Sequence, residues 1–486
     1  MKTLDIRQLK ACQAFAGGEW IEASDGSTFD VLNPASGDVV ATCPDLSKSE
    51  VAGIIVKAEM AFQGWRMTTV NERSVVLRRW YELVMEHQEE LARIMTAEQG
   101  RPIREARAEV AYGASFIEWF AEEAKRTYGD IIPSGANDRR LVTVKQPVGV
   151  VAAITPWNFP NAMITRKTAP AIAAGCSIIV KPARETPLSA LALGYLAEKA
   201  GIPAGVVNIV TSANSRETGL ELTTNPIIRK VTFTGSTQVG KILLSQASQT
   251  VKKVSMELGG NAPLVVFDDA DLENAVNAAL ASKFRNCGQT CICANRILVQ
   301  EGVYDEFVER FSSKVSLLKQ GNGIEEDTDL GPLINKSAVS FVQELVHDAK
   351  QKGATVTVGE HVSDSVTGTF YPATVLRDVP RSARVFREEI FGPLAPIFKF
   401  SSEQEAIELA NDTPYGLAAY LFTENIGRAW RVSEALEYGM VGVNETAISS
   451  EVIPFGGVKE SGLGREGSKY GMDEYQEIKL ICMGNI

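Results

Sequence analysis

Apolar residues recur at helical spacing in the first quarter of the chain. The segment "SKSEVAGIIVKAEMAFQGW" begins with a serine that can cap a helix. The segment "NERSVVLRRWYELVMEHQEELARIMTAEQG" predicts one long amphipathic helix that ends at Gly100 and Pro102, and "IREARAEVAYGASFIEWFAEEAKR" predicts another. The apolar stripes of these helices are expected to pack in a core.

The pattern then changes to short runs of valine and isoleucine. The runs are "VGVVAAITP", "CSIIVKP", "VVNIV", "KVTFTGS" and "PLVVFDD", and helical segments such as "TPLSALALGYLAEKAG" lie between most of them. This alternation predicts an α/β fold with a parallel sheet and crossover helices. Ligands of such sheets bind at the carboxyl ends of the strands, where "TPWNFP", "KPARETP" and "TGSTQVG" fall.

A second alternating region begins after about residue 258. Its segment "DDADLENAVNAALASKFRN" predicts a helix that leads into "NCGQTCICANR". The later segments "ARVFREEIFGPLAPIFKF" and "YGMVGVN" predict strand–loop elements of the same domain. The end of the chain, "YQEIKLICMGNI", alternates like an edge strand, and an exposed edge can pair with another subunit.

Length and composition narrow the class of protein. A chain of 486 residues needs two or three domains, and its 45% apolar and 22% charged residues are ordinary for a globular protein. The net charge of −11, without a basic stretch, argues against nucleic acid as a partner. The apolar runs are too short to span a bilayer and the N-terminus lacks a signal-peptide core. We therefore expect no membrane partner and a cytoplasmic location, where seven cysteines need not pair.

Three of the cysteines, Cys287, Cys291 and Cys293, fall within "NCGQTCICANR". A structural zinc site needs four ligands, usually in two separated pairs, and the sequence offers no second pair, so no metal is expected. Buried core residues and a nucleophile remain as interpretations, and the polar neighbours of Cys291 disfavour the core. A nucleophilic cysteine needs a lowered pKa or a nearby base. No histidine lies in a motif, so we expect a carboxylate base, Glu257 in "SMELGGNAP" or Glu389 in "REEIFGP".

A moderate signal for a cofactor lies in "FTGSTQVG". The segment follows a predicted strand and precedes a predicted helix, so its backbone N–H groups can hold a phosphate. It is not the GxGxxG fingerprint, and a single glycine-rich turn is weak evidence. Lys181, at the end of another strand, can reach a ribose or a phosphate.

Together these motifs resemble the aldehyde dehydrogenase superfamily, from "WIEASDGSTFDVLNPASGDVVA" to "PFGGVKESGLGREGSKYG". The resemblance implies the fold of that family, with a Rossmann-like cofactor domain, an α/β catalytic domain and a small β oligomerisation arm. The expected divisions are 1–127 with 147–257 for the cofactor domain, 258–445 for the catalytic domain, and 128–146 with 446–486 for the arm. It also implies a homodimer or a homotetramer.

The resemblance assigns roles residue by residue. Cys291 is the nucleophile, and Asn158 in "PWNFP" joins the Cys291 backbone N–H in stabilising an oxyanion. Glu257 is the general base for water, and Glu466 in "GRE" helps to relay protons from it. The residues implied in cofactor binding are Thr155, Pro156, Trp157, Lys181, Arg184, Gly235, Ser236, Leu258, Glu389 and Phe391.

The finer resemblance is to succinate-semialdehyde dehydrogenases, carried by "SKFRNCGQTCICANR", "MITRK" and "LEYGMVGVNETAISSEVIPFGG". It implies that Arg166, Arg285 and Ser449 hold a carboxylate at the far end of the substrate. An arginine fork suits this task because it can bind both oxygens. We expect oxidation of succinate semialdehyde to succinate. Glutarate semialdehyde is the nearest alternative, since one methylene is worth only ~1–3 kcal/mol. A CoA-acylating enzyme is a further alternative, against which Glu257 speaks.

Cofactor choice depends on the residue three positions after Lys181. NAD-preferring relatives often carry a glutamate there, whereas "KPARETP" places Arg184. An arginine can pair with a 2′-phosphate, so we expect NADP, with NAD possible because Glu185 can still reach the ribose.

Cys293 matches a recurring feature of the same relatives. A reactive thiolate with a near neighbour is a typical redox arrangement, so we hypothesise a reversible Cys291–Cys293 disulfide under peroxide. The alternative is that Cys293 is only a small packed residue. Cys287 is expected to be a bystander.

Overall fold

The computed structural model describes residues 13–359 and 367–485. Residues 1–12 lie outside the described residues. They form part of the N-terminus in which the sequence predicts no signal peptide. In the described part of the chain, no helix combines the length and the apolar character needed to cross a membrane.

The segment predicted as one long helix is two helices, Val70–Glu86 and Gln88–Gln99. His87 separates them because its φ of −103° and ψ of 23° depart from the helical conformation. Gly100 ends the second helix in the left-handed conformation at φ 83°, as the sequence predicts. The other helices are Lys48–Trp65, Ile103–Glu123, Ala162–Ala174, Pro187–Ala200, Ser215–Thr224, Thr237–Ala247, Leu272–Phe284, Tyr304–Val315, Lys336–Gln351, Arg384–Arg387, Glu403–Asn411, Ile426–Ala435 and Tyr470–Asp473.

The first sheet is parallel at its centre. Across the described residues its eight strands are, in spatial order, Gly462–Leu463, Lys253–Glu257, Ile228–Thr234, Val150–Ile154, Ser177–Lys181, Val207–Ile209, Ala14–Ala16 and Glu19–Ile21. The five strands from 253–257 to 207–209 run parallel, and the strands at both edges pair antiparallel. The parallel strands are largely buried, which explains their runs of valine and isoleucine.

The second sheet contains the strands that flank the cysteine stretch. Its seven strands in the described chain are, in spatial order, Thr355–Val358, Thr374–Arg377, Leu394–Phe400, Arg296–Gln300, Pro263–Val266, Ala418–Phe422 and Met440–Val443. All neighbours are parallel except the pair formed by 355–358 and 374–377. The run "PLVVFDD" therefore supplies a strand of this second sheet and not of the first.

A small antiparallel sheet completes the fold. It pairs Gln476–Gly484 with Arg139–Pro147, which pairs in turn with Ile131–Ile132. The C-terminal strand lies at the edge, as predicted, and a separate hairpin joins Thr28–Leu32 to Val39–Pro44. Two α/β sheets and a small β arm confirm the predicted fold class, while the boundaries between the domains stay a prediction.

Candidate active site

The cysteine stretch forms a turn between helix Leu272–Phe284 and strand Arg296–Gln300. Three consecutive residues, Asn286, Cys287 and Gly288, adopt the left-handed conformation, with φ values of 51°, 57° and 74°. Residues other than glycine rarely adopt this conformation, although asparagine does so more readily than most. The turn therefore depends on contacts that hold it.

The side chain of Asn286 makes those contacts. Its Nδ2 donates to the carbonyl oxygens of Asn158 (3.0 Å) and Gln289 (3.3 Å). Its Oδ1 accepts from Gln99 Nε2 at 2.9 Å and from Arg101 Nε at 3.2 Å. Asn286 thus joins the turn formed by the cysteine stretch to the segment that carries Asn158. The sequence predicted no role for Asn286, although asparagine and glycine, here two positions apart in "RNCG", both tolerate the left-handed conformation.

Cys291 and Asn158 line the same cavity, which has a volume of about 230 Å³. Cys291 is half-buried, and burial, followed by the charge of Glu389, raises the pKa of its thiol to about 12. The resting thiol is therefore protonated, so attack needs a base. Gly260 lies against this residue: a Cβ at Gly260 would stand 2.3 Å from the Cys291 carbonyl oxygen.

The side-chain amide of Asn158 lies beside the turn formed by the cysteine stretch. Its Nδ2 donates to the carbonyl oxygen of Gln289 at 3.0 Å, two residues before Cys291. The backbone carbonyl oxygen of Asn158 accepts a hydrogen bond from Arg101 Nη2 at 2.7 Å. Arg101 is fully buried and pairs with Glu109, so the backbone of Asn158 is held by a rigid cation.

Glu257 ends the strand Lys253–Glu257 in a buried position. Its Oε2 has no hydrogen-bond partner among the described residues. Burial, followed by the charge of Glu466, raises the pKa of Glu257 well above its ordinary value. The charge of Glu257 is also among the causes that raise the pKa of Cys291, which places the two groups within electrostatic reach of each other.

Glu466 lies in a buried charge cluster with Arg166 and Lys167. Arg166 donates from Nε (2.9 Å) and Nη2 (2.6 Å) to Glu466 Oε2, and Lys167 Nζ contacts Glu466 Oε1. Burial alone would raise the pKa of Glu466, but the charges of Lys167 and Arg166 outweigh burial and lower it to about 2. A carboxylate with this pKa does not take up a proton at neutral pH. The relay role of Glu466 stays a prediction, and its charge is among the causes that raise the pKa of Glu257.

The three residues predicted to bind a substrate carboxylate, Arg166, Arg285 and Ser449, differ in their burial and in their contacts. Arg166 is buried and largely engaged by Glu466, but its Nη1 donates to Tyr112 Oη at 3.4 Å. Tyr112 Oη lies 2.5 Å from Ser449 Oγ, so Tyr112 links two of the predicted residues. Arg285 is exposed and stands 5.5 Å from the ring centroid of Phe159.

Arg285 also lines a second cavity, of about 120 Å³. Thr290 and Ile292, the two neighbours of Cys291 in sequence, line the same cavity, as does Cys293. The structure therefore brings an exposed guanidinium close to the residues on either side of Cys291. Tyr112 and Lys167 escaped the sequence analysis because their roles come only from contacts with distant segments.

The residues predicted to bind the cofactor gather at the carboxyl ends of neighbouring parallel strands. Thr155 to Trp157 follow Val150–Ile154, Lys181 ends Ser177–Lys181, and Gly235 and Ser236 follow Ile228–Thr234. Ser236 caps the helix Thr237–Ala247, its Oγ accepting from Val239 N at 3.4 Å. This is the edge of an α/β sheet at which nucleotides bind, with a helix N-terminus suited to a phosphate.

Several of these residues fit a nicotinamide nucleotide. Thr155 Oγ1 is buried without a hydrogen-bond partner among the described residues, so it can still accept or donate a bond. Burial lowers the pKa of Lys181 to about 8, and its Nζ donates to Ser215 Oγ at 2.9 Å. Arg184 is exposed at the same strand end, and the neighbouring Glu185 contributes to the electrostatics of Lys181.

Glu389 and Phe391 also line the 230 Å³ cavity. Glu389 Oε1 accepts from Gly260 N at 2.9 Å, and burial raises the pKa of Glu389 to about 7. Phe391 packs edge-on against Trp157, with ring centroids 5.5 Å apart. Pro156, Leu258 and Ser236 line the same cavity. The cavity thus has apolar sides and few polar groups, which is typical of a small-molecule site.

The fold and this site define a class of enzyme. Residues 20–481 match the model described as "Aldehyde dehydrogenase family", and the chain belongs to that family.

Individual relatives cover nearly the whole chain. A glutarate-semialdehyde dehydrogenase of Pseudomonas putida (strain KT2440) is 56% identical over 98% of this chain and 98% of its own. A succinate-semialdehyde dehydrogenase [NADP(+)] of Escherichia coli (strain K12) is 55% identical over 97% of this chain and 98% of its own. The crystal structure of succinate-semialdehyde dehydrogenase from Burkholderia pseudomallei superposes with a TM-score of 0.97 at 54% identity and covers both chains fully.

Proposed function

We propose that this enzyme oxidises succinate semialdehyde to succinate and reduces NADP, with NAD as a possible substitute. The observation that carries the proposal is the placement of the exposed Arg285 in the cavity lined by Thr290 and Ile292, on either side of Cys291. An aldehyde carbon at the Cys291 sulfur and a carboxylate at a guanidinium suit a short ω-oxo acid. The relatives at 54–55% identity named for this substrate support the same choice.

The chain supplies the groups for a covalent mechanism. The Cys291 thiol gives its proton to solvent water, and its sulfur attacks the aldehyde carbon. The Asn158 amide with the Cys291 backbone N–H stabilises the oxyanion of the thiohemiacetal. Losing one such donor costs roughly 2.7–4 kcal/mol. When bound, the nicotinamide serves as hydride acceptor. Cys291 then carries a thioester, and the carboxylate form of Glu257 removes a proton from water to release the acid.

We also propose which residues hold the parts of the nicotinamide cofactor. Lys181 holds the adenosine ribose, Ser236 the pyrophosphate, and Glu389 the nicotinamide ribose. Arg184 pairs with the 2′-phosphate because it is exposed at the end of the strand that also carries Lys181.

Glutarate semialdehyde is a second candidate substrate. The Pseudomonas putida relative named for it is as similar to this chain as those named for succinate semialdehyde. One additional methylene changes binding by only ~1–3 kcal/mol, so a preference between the two depends on how far Arg285 lies from Cys291.

The test compares kcat/KM for succinate semialdehyde and butanal, followed at 340 nm with NADP and with NAD. Loss of a charge-assisted contact costs ~1.5–3 kcal/mol, so Arg285→Ala is expected to lower kcat/KM for the acid roughly 10- to 150-fold and to leave butanal nearly unchanged. Arg431→Ala, which removes an exposed arginine that pairs with Glu403, is the matched control. A wild-type enzyme without preference for the charged aldehyde would refute the proposal.

We also propose a homo-oligomer held by the small β arm. Its C-terminal strand Gln476–Gly484 is an edge strand, and Ile478 and Leu480 on it are 71% and 59% exposed. An apolar edge of this kind favours pairing with a second subunit. Sedimentation of the intact enzyme distinguishes a monomer, a dimer and a tetramer. The cytoplasmic location stays a prediction.

A further inference from the structure

Lys283 is a fully buried amine that the proposed reaction does not use. It lies in the last turn of helix Leu272–Phe284, and its Nζ donates to Cys293 Sγ at 3.7 Å. Burial lowers the pKa of this amine. Burying an ammonium group without a charged partner costs free energy, so the position of Lys283 beside a sulfur atom suggests a chemical role.

Cys293 is buried but borders a cavity. Its Sγ donates to the carbonyl oxygen of Gly288 at 3.4 Å and lies on the wall of the cavity that Arg285 also lines. Burial raises the pKa of the thiol, so both groups of the pair favour their neutral forms. A neutral amine beside a thiol can take up the proton of the thiol and can also act as a nucleophile.

We propose that Lys283 and Cys293 form a reversible sulfur–nitrogen crosslink when the enzyme meets hydrogen peroxide. In the first step the Cys293 sulfur attacks peroxide, breaks the O–O bond and becomes a sulfenic acid, while the peroxide is reduced to water. In the second step the Lys283 amine attacks this sulfur. The S–O bond breaks, the hydroxyl leaves as water with a proton from nitrogen, and an S–N bond forms.

The crosslink competes with the Cys291–Cys293 disulfide expected from the sequence, because both use the same sulfur. The contact of Lys283 Nζ with Cys293 Sγ favours the amine as the resolving group. Dithiothreitol reverses either product: its two thiols become a disulfide, and the enzyme regains its thiol and its amine. Reversibility alone therefore does not distinguish the two products, whereas a digest does.

The experiment treats the intact enzyme with peroxide, blocks free thiols and digests with trypsin without reductant. Trypsin normally cleaves after Lys283 and Arg285, and the stretch 286–296 is released as one peptide. A crosslinked Lys283 resists cleavage, so peptide 254–285 stays joined to peptide 286–296. The expected mass is that of the two peptides, with the blocking group on Cys287 and Cys291, less two hydrogen atoms, and dithiothreitol separates the peptides.

Two further samples sharpen the test. Cys291→Ala cannot form the competing disulfide and is expected to give the same linked pair, whereas Cys293→Ser gives none. Peptide 286–296 alone, lighter by two hydrogen atoms, would show a disulfide and overturn the proposal. A Cys293 oxidised to sulfinic acid with a cleaved Lys283 would overturn it as well.

Discussion

Asn286 offers the sharpest test of how the site is held together. Its side chain bonds the carbonyl oxygen of Asn158 and accepts from Gln99 and Arg101, while its backbone is left-handed. Asn286→Gly removes the side chain and keeps a residue that adopts positive φ freely. Asn286→Ala removes the same side chain and adds backbone strain, so the pair of variants separates the two effects.

The magnitude follows from these contacts. The substitution leaves Arg101 Nε and Gln99 Nε2 without their acceptor, and each buried donor left unsatisfied costs ~1–3 kcal/mol. The alanine variant adds ~1–2 kcal/mol of left-handed strain. For catalysis the upper limit is the loss of the Asn158 donor, ~2.7–4 kcal/mol or roughly 10²–10³ in kcat.

The assays are urea unfolding and steady-state kinetics at 340 nm. We expect Asn286→Gly to lower kcat at least about tenfold with a smaller change in KM, since the oxyanion forms only during reaction. Asn444→Gly is the matched control: Asn444 is also left-handed, at φ 56°, and its side chain bonds Thr423 at 3.0 and 2.9 Å. The control is expected to lose stability but to keep its kcat. If Asn286→Gly keeps full kcat, Asn286 does not position Asn158.

Three further substitutions test other parts of the site. Glu466→Gln removes a negative charge that raises the pKa of Glu257. Since Glu257 is proposed to act as a carboxylate, activity falls as pH drops through the pKa of Glu257. The acid limb of the kcat profile is therefore expected to move to lower pH in this variant. An unmoved limb would contradict that coupling. Gly260→Ala places a methyl group 2.3 Å from the Cys291 carbonyl oxygen and is expected to abolish most activity while the fold persists by circular dichroism. Lys181→Met is expected to raise KM for the cofactor far more than KM for the aldehyde, and equal increases would argue against its role.

The α/β alternation was predictable because parallel strands buried on both faces must be rich in valine and isoleucine. The break at His87 was not, since "ELVMEHQEEL" keeps its apolar residues at helical spacing across the break.

The roles of the site residues stay predictions, but the strand ends that carry Thr155, Lys181 and Gly235 could be placed from the sequence. The partners that set the properties of the site residues could not. Arg166 pairs with Glu466 across 300 positions of sequence, and the charge of Glu466 in turn helps to raise the pKa of Glu257. Tyr112 likewise meets Ser449 from a distant helix. Such contacts depend on how the helices and the small β arm pack, which local patterns do not encode.

The most direct test of the central claim is the mass of the enzyme during a single turnover. Glu257→Gln, mixed with succinate semialdehyde and NADP and quenched in acid, is expected to carry one succinyl group on Cys291 and to release one equivalent of NADPH. Hydrolysis of the thioester is slow in this variant because the base for water is gone. NADPH formation without any adduct, or an adduct on Cys287 or Cys293 instead, would contradict the account.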